Sequence, residues 1–271
     1  MQPKVGDGTV YMKQISPEIA ELLNMEAERI NSPSFINADP VQFPRKFTDV
    51  RDIELAAFLS AMLAWGNRKM ICRDIERLMT MMDWAPYAFV KEGAYEMIAP
   101  EKNIHRTTFA RDIQHFLRGM RSIYAKYGTL NDFANSMRIG ESDTPSWMLA
   151  EQIQHVMTAE NKGVTCSRCL PLDFSKTALK RVNMALRWLV RDDGIVDMGI
   201  WDCIPKSKLF IPLDVHVGNV SRELGLLERK GNDRKSVLLL TETLRQLNPS
   251  DPCIYDYALF GIGVESKGNK L

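Results

Sequence analysis

One segment of the chain concentrates side chains that could bind a phosphate or supply an amine nucleophile. Residues 176–191 (KTALKRVNMALRWLVR) carry five cations and no acidic residue, in a chain whose formal net charge is +1. Helical geometry at 3.6 residues per turn places four of these cations on one stripe, opposite an apolar face. Like charges at this spacing repel one another. The segment predicts either a polyanionic ligand or neutralisation by nearby aspartates; its cations are Lys176, Lys180, Arg181, Arg187 and Arg191.

A carboxylate follows downstream at a position typical of a helix N-cap. Asp214 comes directly after the apolar residues 209–213 and two residues before His216. Helix N-termini stabilise anions, so a carboxylate there tends to stay ionised. Asp214 is therefore predicted either as a structural cap or as a charged functional group. His216 is either a hydrogen-bonded structural histidine or a ligand-binding side chain.

The elements that must position these residues are predicted to be helices. Apolar residues recur at intervals of three and four through most of the chain, and alternation with a period of two is never sustained. Ser16 and Pro17 are typical of a helix start, Asp52 is expected to cap an alanine-rich buried helix, and residues 35–50 are expected to form a loop. The sequence predicts an all-α fold with helices at about 17–31, 53–65, 70–84, 107–127, 146–159, 177–191, 214–224, 233–247 and 252–261.

Length and composition narrow the class of protein. The chain has 271 residues, of which 45% are hydrophobic and 25% are charged, which excludes a disordered or fibrous protein. A net charge near zero argues against indiscriminate binding of polyanions. No run of eighteen apolar residues is present, so we expect no membrane association. The five cysteines are scattered and no signal peptide is recognisable, which favours a reduced cytoplasmic location.

Four segments, in order, resemble the helix-hairpin-helix base-excision DNA glycosylases, the endonuclease-III-like superfamily. Residues 58–64 (FLSAMLA) resemble the early LLSxQT helix, and residues 257–261 (YALFG) resemble the late helix that closes the domain. Residues 178–186 (ALKRVNMAL) can be laid on the hairpin and helix LPGVGxKTAxxVL. Residues 212–217 (PLDVHV) match the segment VDTHVxR closely. The resemblance places Lys180 at the catalytic lysine of bifunctional members and Asp214 at the catalytic aspartate.

A closer resemblance is to an uncharacterised bacterial family known only as a domain of unknown function. It rests on residues 186–193 (LRWLVRDD), 199–201 (GIW), 212–217 and 251–263 (DPCIYDYALFGIG). The glycosylase resemblance implies a two-lobed helical fold with a central cleft. We expect residues 51–271 to form this domain and residues 1–50 to pack on it as a helix and a loop.

The chain departs from the glycosylase pattern at the hairpin. Residues 174–178 (FSKTA) occupy the place of LPGVG, and the missing glycines are those that allow backbone amides to approach a DNA phosphate. An alternative alignment on longer relatives selects Lys176 instead of Lys180. Only one cysteine lies near the C-terminus, so no iron–sulfur cluster is expected. Cys166 and Cys169 have the spacing of one half of a zinc site, which His155 and the distant Cys203 could complete, but incidental thiols are the favoured interpretation, and we expect no cofactor or metal.

The resemblance implies a DNA-repair glycosylase, with or without AP-lyase activity, that binds a damaged duplex. Asp214 would stabilise positive charge at the sugar C1′, and Lys180 would form a Schiff base. The other substrate-binding candidates are Lys176, Arg181, Arg187, Trp188, Arg191, Trp201, His216, Trp65, Asn67 and Arg68, with Asp256 and Tyr257 as further cleft or cap residues. Each tryptophan could instead be a core residue. Two other functions remain open, a noncatalytic nucleic-acid-binding protein and an enzyme that acts on a small molecule.

Overall fold

Helices dominate the structure, and the predicted all-α class is confirmed. The computed structural model describes residues 14–268, with side chains described to residue 264. The only strands in this part of the chain are the short antiparallel pair β1 (Asn103–His105) and β2 (Thr108–Phe109). The α-helices are α1 (Pro17–Ile30), α2 (Pro33–Ile36), α3 (Val50–Leu63), α4 (Arg68–Met81), α5 (Pro86–Glu92), α6 (Ala110–Tyr127), α7 (Leu130–Ser136), α8 (Pro145–Glu160), α9 (Lys180–Val190), α10 (Val215–Glu223), α11 (Arg234–Arg245) and α12 (Tyr255–Gly268).

Capping residues determine where α1 and α3 begin. Ser16 caps α1 as predicted, because its Oγ accepts a hydrogen bond of 3.4 Å from the backbone of Ile19. The predicted cap of α3 is wrong. Asp49 begins that helix three residues earlier than expected, and the Asp52 carboxylate instead accepts a hydrogen bond of 2.7 Å from the backbone of Tyr87.

The start of α9 also differs from the prediction. Leu179 has a left-handed backbone, with φ of 48°, so the helix begins at Lys180 and not at Thr177. Lys176 therefore lies exposed on the preceding loop, off the helical stripe on which the sequence placed it. A helix-period pattern continues through residues 176–179, although their backbone is irregular.

Short elements were missed. The predicted loop at 35–50 contains α2 and two turns of 3₁₀-helix, at Pro40–Gln42 and Pro44–Lys46. The β1–β2 hairpin occupies the first residues of a predicted helix, which begins only at Ala110. Elements of two to four residues carry too few positions for a hydrophobic period to reveal them.

The core is built around α3, whose residues 53–63 are all buried. This helix packs against α9, while α6 packs against α8, and α12 packs against both α1 and α10. Residues 14–50 thus pack on the same body as the rest, whereas residues 1–13 lie outside the described part. The division at residue 50 stays a prediction. None of the helices from 14 to 268 has the length and apolarity needed to cross a membrane.

Candidate functional site

The starts of α9 and α10 bring Lys180 and Asp214 together. The Nζ atom of Lys180 lies 3.8 Å from Oδ2 of Asp214, and the two side chains are 29% and 27% exposed. Nζ also donates a hydrogen bond of 3.3 Å to the backbone carbonyl of Ala64, just past the end of α3. Two residues 34 positions apart in the chain therefore form a partly exposed ion pair.

Backbone contacts fix the orientation of Asp214. Its Oδ1 accepts hydrogen bonds from the backbone of His216 at 2.8 Å and of Val217 at 3.0 Å, the N-cap arrangement expected from the sequence. The side chain of Asn232 donates to the Asp214 carbonyl at 3.0 Å. One carboxylate oxygen thus caps α10, and the other faces Lys180.

The ion pair opens onto a cavity of about 1220 Å³. Its walls come from the α3–α4 junction, the loop at 167–171, and the ends of α9, α10 and α12. Besides Lys180 and Asp214, the cavity is lined by seven residues singled out from the sequence, namely Trp65, Asn67, Arg68, Arg181, Arg187, His216 and Asp256. The structure therefore brings most of the candidate site residues to one place.

The remaining candidates lie elsewhere. Trp188 and Trp201 are core residues, 0% and 3% exposed, so their interpretation as stacking residues is corrected in favour of packing. Arg191 and Tyr257 are also buried and do not line the cavity. Lys176 is exposed on its loop, and its carbonyl accepts a hydrogen bond of 2.9 Å from the backbone of Arg234.

Two of the predicted phosphate ligands are neutralised inside the protein. The guanidinium of Arg187 pairs with Asp256 and lies 3.4 Å from Asp197. Arg191 pairs with the same Asp197 and lies 2.9 Å from Asp251. Both arginines are almost wholly buried. For them the alternative of neutralisation by nearby aspartates describes the structure, because a buried arginine requires such partners.

Two buried carboxylates that line the cavity have raised pKa values. The pKa of Asp256 is raised to about 6, because burial and the nearby Asp214 raise it more than Arg187 and Lys180 lower it. Burial likewise raises the pKa of Asp39, while the backbone hydrogen bond from Val41 and nearby cations lower it. Desolvation disfavours the charged form of an acid, so these groups hold protons more firmly than exposed aspartates do.

Arginine–aromatic stacks border the cavity. The guanidinium of Arg68 lies 4.7 Å from the ring centre of Phe260, and that of Arg106 lies 4.4 Å from the ring centre of Trp65. Gly66, with φ of 106°, allows this approach, because a Cβ there would lie 2.2 Å from an Arg106 nitrogen. These stacks combine positive charge with a flat apolar surface.

Several lining residues were missed from the sequence. Asp39 precedes Pro40, a pair that indicates a helix start but carries no chemical signal. Phe260 belongs to a segment singled out only for its resemblance. The other missed residues include Phe35, Arg168, Leu170 and Asn232. They come from loops and helix ends whose approach to α9 depends on tertiary packing.

The described residues contain no group of three or more histidine, cysteine or acidic side chains that could hold a metal ion. Cys166 and Cys169 lie near Asp112 of α6. His155 is exposed on α8, and the backbone N–H of Cys203 donates a hydrogen bond of 3.4 Å to the side chain of Asn131 on α7. The four-ligand zinc site considered from the sequence is therefore not assembled.

Comparison with known proteins identifies a family. No curated protein matches the chain, and no solved structure matches it either. A family model described as "Protein of unknown function (DUF2400)" matches residues 39–265, which include every residue that lines the cavity except Phe35. The chain therefore belongs to the DUF2400 family.

Proposed function

We propose that this protein is a DNA glycosylase that removes a damaged base and cleaves the resulting abasic site through Lys180. The observation that carries the proposal is the pairing of Lys180 with Asp214 at 3.8 Å in a large open cavity. A lysine and an aspartate so placed are the two groups that base excision with a Schiff-base intermediate requires. The order of the four resembling segments along the chain supports the same function.

The size of the cavity suits an extruded nucleotide. Ordinary small-molecule pockets occupy roughly 300–1000 Å³, and the cavity here is about 1220 Å³. An enzyme that acts on a base in duplex DNA must take the whole nucleotide out of the stack. Trp65 and Phe260 offer aromatic surface for the base, and Arg68 and the exposed Arg168 offer positive charge for the flanking phosphates.

The chemistry follows from the two side chains. When the bond between C1′ and the base nitrogen breaks, the base leaves with the electron pair and positive charge develops at C1′. An ionised Asp214 stabilises that charge. The Lys180 amine, after giving up one proton, bonds to C1′. Its nitrogen then loses a second proton and expels O4′, which takes up a proton, and a Schiff base remains.

One observation favours the noncatalytic nucleic-acid-binding alternative. In the segment before α9, the amide of Ser175 donates to the side chain of Asp173 at 2.8 Å, and the amide of Leu179 donates to Thr177 Oγ1 at 3.3 Å. These amides occupy the place of the hairpin that would hold a DNA phosphate, and they are already bonded within the segment. Binding of DNA would then depend on side chains of the cavity rim.

Borohydride trapping on duplex oligonucleotides tests the proposal. The substrates carry an abasic site or an oxidised, deaminated or alkylated base. We expect a covalent adduct with the unaltered protein and with Lys176→Ala, and none with Lys180→Ala. Asp214→Asn should slow base release by about 100-fold or more. Lys176→Ala is the matched control, because it removes an exposed lysine four residues away that does not line the cavity.

Each contrary result has a distinct meaning. An adduct lost with Lys176→Ala and kept with Lys180→Ala would move the chemistry to the other lysine. Salt-sensitive binding to duplex without adduct or base release would support the noncatalytic alternative. Absence of adduct, release and binding for every duplex would reject the proposal and leave an enzyme that acts on a small molecule.

A further inference from the structure

The loop between α8 and α9 carries a pair of cysteines that the proposed function does not use. The backbone N–H of Cys169 donates a hydrogen bond of 3.2 Å to the carbonyl of Cys166, which closes a turn. Turns of this kind bring the Cα atoms of the first and fourth residues within about 7 Å. Disulfides need Cα separations of roughly 4.4–6.8 Å. The backbone is therefore already folded for a bond between the two cysteines.

The two sulfur atoms converge on one residue of α6. Cys166 Sγ lies 3.4 Å from Oδ1 of Asp112, and Cys169 Sγ lies 2.9 Å from the backbone carbonyl oxygen of the same residue. The side chains consequently leave the turn on the same side. Neither cysteine is held in a metal site, because the described residues contain no such site.

The surroundings of the two thiols shift their pKa values in opposite directions. A hydrogen bond from the Cys169 thiol lowers the pKa of Cys166 to about 7. The thiol of Cys169 is buried, and its pKa is raised well above the ordinary range. Burial also raises the pKa of Cys72, and that of Cys203 to about 12. At neutral pH Cys166 is therefore the cysteine with the largest thiolate fraction among these four, and the thiolate is the reactive form.

Cys166 is also open to solvent. It is half-buried and lines a second cavity of about 570 Å³. The cations of that cavity include Arg111, Arg118 and Lys162. Cys169 lines the first cavity, which contains Lys180 and Asp214. An oxidant can therefore reach Cys166, whereas Cys169 is buried.

We propose that Cys166 and Cys169 are a redox-active dithiol that a peroxide oxidises to an intramolecular disulfide. The Cys166 thiolate attacks one peroxide oxygen, the O–O bond breaks, and a sulfenic acid forms as the other oxygen leaves and becomes water. The Cys169 sulfur then attacks the Cys166 sulfur, the S–O bond breaks, and the hydroxyl leaves with the Cys169 proton as a second water. The two electrons pass to the peroxide, and a small thiol reductant restores the dithiol.

The site of oxidation borders the cavity that holds Lys180. Arg168, between the two cysteines, accepts a hydrogen bond of 3.0 Å at its carbonyl from the side chain of Arg181 on α9. The loop is thereby tied to the residue next to Lys180. Formation of the disulfide would change the loop that forms this wall of the cavity. The proposal that Cys166 and Cys169 are redox-active does not depend on which ligand the cavity binds.

Tryptic mapping of the full-length protein provides a direct test. The reduced protein is treated with one equivalent of hydrogen peroxide at pH 7, its free thiols are alkylated, and it is digested. Trypsin cleaves after Arg168, so a Cys166–Cys169 disulfide joins the peptides 163–168 and 169–176. We expect this linked pair in the folded protein, its loss after dithiothreitol, and its presence in Cys203→Ser.

Rates of alkylation test the division of roles. The pKa of Cys166 lies about 2 below the ordinary value for a cysteine, so a much larger fraction of its thiol is ionised at pH 7. A thiolate of lower pKa is also a weaker nucleophile. Together these effects predict that Cys166 is alkylated about fivefold faster than Cys72 at pH 7. Cys169→Ala removes the hydrogen-bond donor and should slow this reaction. Cys169→Ser keeps a donor and should preserve the rate, although neither variant can form the linked peptides.

Three results would overturn the proposal. One is oxidation of Cys166 to sulfinic acid without the linked peptides in the folded protein. Another is alkylation of Cys166 no faster than that of Cys72. The third is linked peptides that form only when the protein is first unfolded, which would mean that the folded loop keeps the sulfur atoms apart. If Cys169→Ala does not fold, Cys169→Ser still shows whether the linked peptides require the sulfur of Cys169.

Discussion

The indole Nε1 of Trp201 donates a hydrogen bond of 2.9 Å to Oε1 of Glu54, joining the segment between α9 and α10 to the central helix α3. The same carboxylate accepts hydrogen bonds from the backbone of Leu130 at 2.8 Å and of Asn131 at 3.0 Å, at the first turn of α7. Glu54 is completely buried. Trp201 is therefore one of several donors that hold a buried carboxylate, which explains its place in the core.

Trp201→Phe should destabilise the protein more than Trp188→Phe does. Both tryptophans are buried, but only Trp201 has a hydrogen-bond partner for Nε1 among the described residues. Loss of a hydrogen bond to a charged group costs roughly 1.5–3 kcal/mol. At pH 8, where Glu54 is largely ionised, we expect the free energy of unfolding in urea to fall about 2 kcal/mol further for Trp201→Phe. Equal losses would show that the indole bond to Glu54 contributes nothing.

The titration of Glu54 should make stability depend on pH. Burial raises the pKa of Glu54 from 4.5 to about 7, so between these pH values the folded state keeps a proton that the unfolded state releases. The contribution of this group to stability therefore falls as pH rises from about 4.5 through 7. Relative to the unaltered protein, Glu54→Gln should gain about 2 kcal/mol between pH 5 and pH 8.

Urea unfolding at a series of pH values measures this difference. Glu54→Gln places an amide among several hydrogen-bond donors, so we expect it to be less stable than the unaltered protein at pH 5, and only the change with pH is diagnostic. Glu92→Gln, at an exposed glutamate of α5, controls for the loss of one carboxylate. A difference between Glu54→Gln and the unaltered protein that does not vary with pH would contradict the raised pKa.

The sequence predicted long helices better than it predicted where they begin. The Ser16–Pro17 pair located the start of α1 because cap and first-turn proline are local signals. The predicted start of α9, at residue 177, is three residues too early. The left-handed backbone of Leu179 ends the irregular segment, and the pattern of hydrophobic residues does not indicate it. Asp49 and Asp52 are equally good caps by residue type, and tertiary contact with Tyr87 decides between them.

The site was predictable where chemistry and resemblance coincided. Lys180 and Asp214 were selected together, and the structure places them 3.8 Å apart. Arg187 and Arg191 were ambiguous, because a helical stripe of cations has the same sequence pattern whether its partners are phosphates or buried aspartates. Asp39 could not be predicted, since only the packing of its segment against α3 and α4 gives it a place in the cavity.

Removal of the carboxylate shared by two arginines should destabilise the protein strongly. Asp197 is 1% exposed and pairs with both Arg187 and Arg191. Breaking a buried pair leaves uncompensated charge, which costs roughly 3–5 kcal/mol. We expect Asp197→Asn to lower the free energy of unfolding by about 3 kcal/mol. Asp192→Asn removes a nearby exposed carboxylate that pairs with Lys206, and we expect no measurable change.

Thermal or urea unfolding compares these two variants directly. An Asp197→Asn protein as stable as Asp192→Asn would mean that the remaining aspartates, Asp193, Asp251 and Asp256, suffice for the two arginines. Activity is not the readout here, because Arg187 also lines the cavity.

The two roles of Asp214 can be separated by comparing asparagine with alanine at this position. Oδ1 caps α10, and Oδ2 faces Lys180. Asparagine caps a helix about as well as aspartate, whereas alanine costs roughly 1 kcal/mol. We therefore expect Asp214→Asn to keep the free energy of unfolding, Asp214→Ala to lower it by about 1 kcal/mol, and both to lose base release.

Asp233→Ala provides the matched control for the cap. Asp233 caps α11 through a hydrogen bond of 2.9 Å from the backbone of Ser236, and it does not line the cavity. This variant should lose a similar amount of stability while base release is unchanged. If Asp214→Asn released bases as fast as the unaltered protein, the cap alone would account for Asp214. Full stability with base release lost would instead show that the charge of Asp214 acts on the substrate.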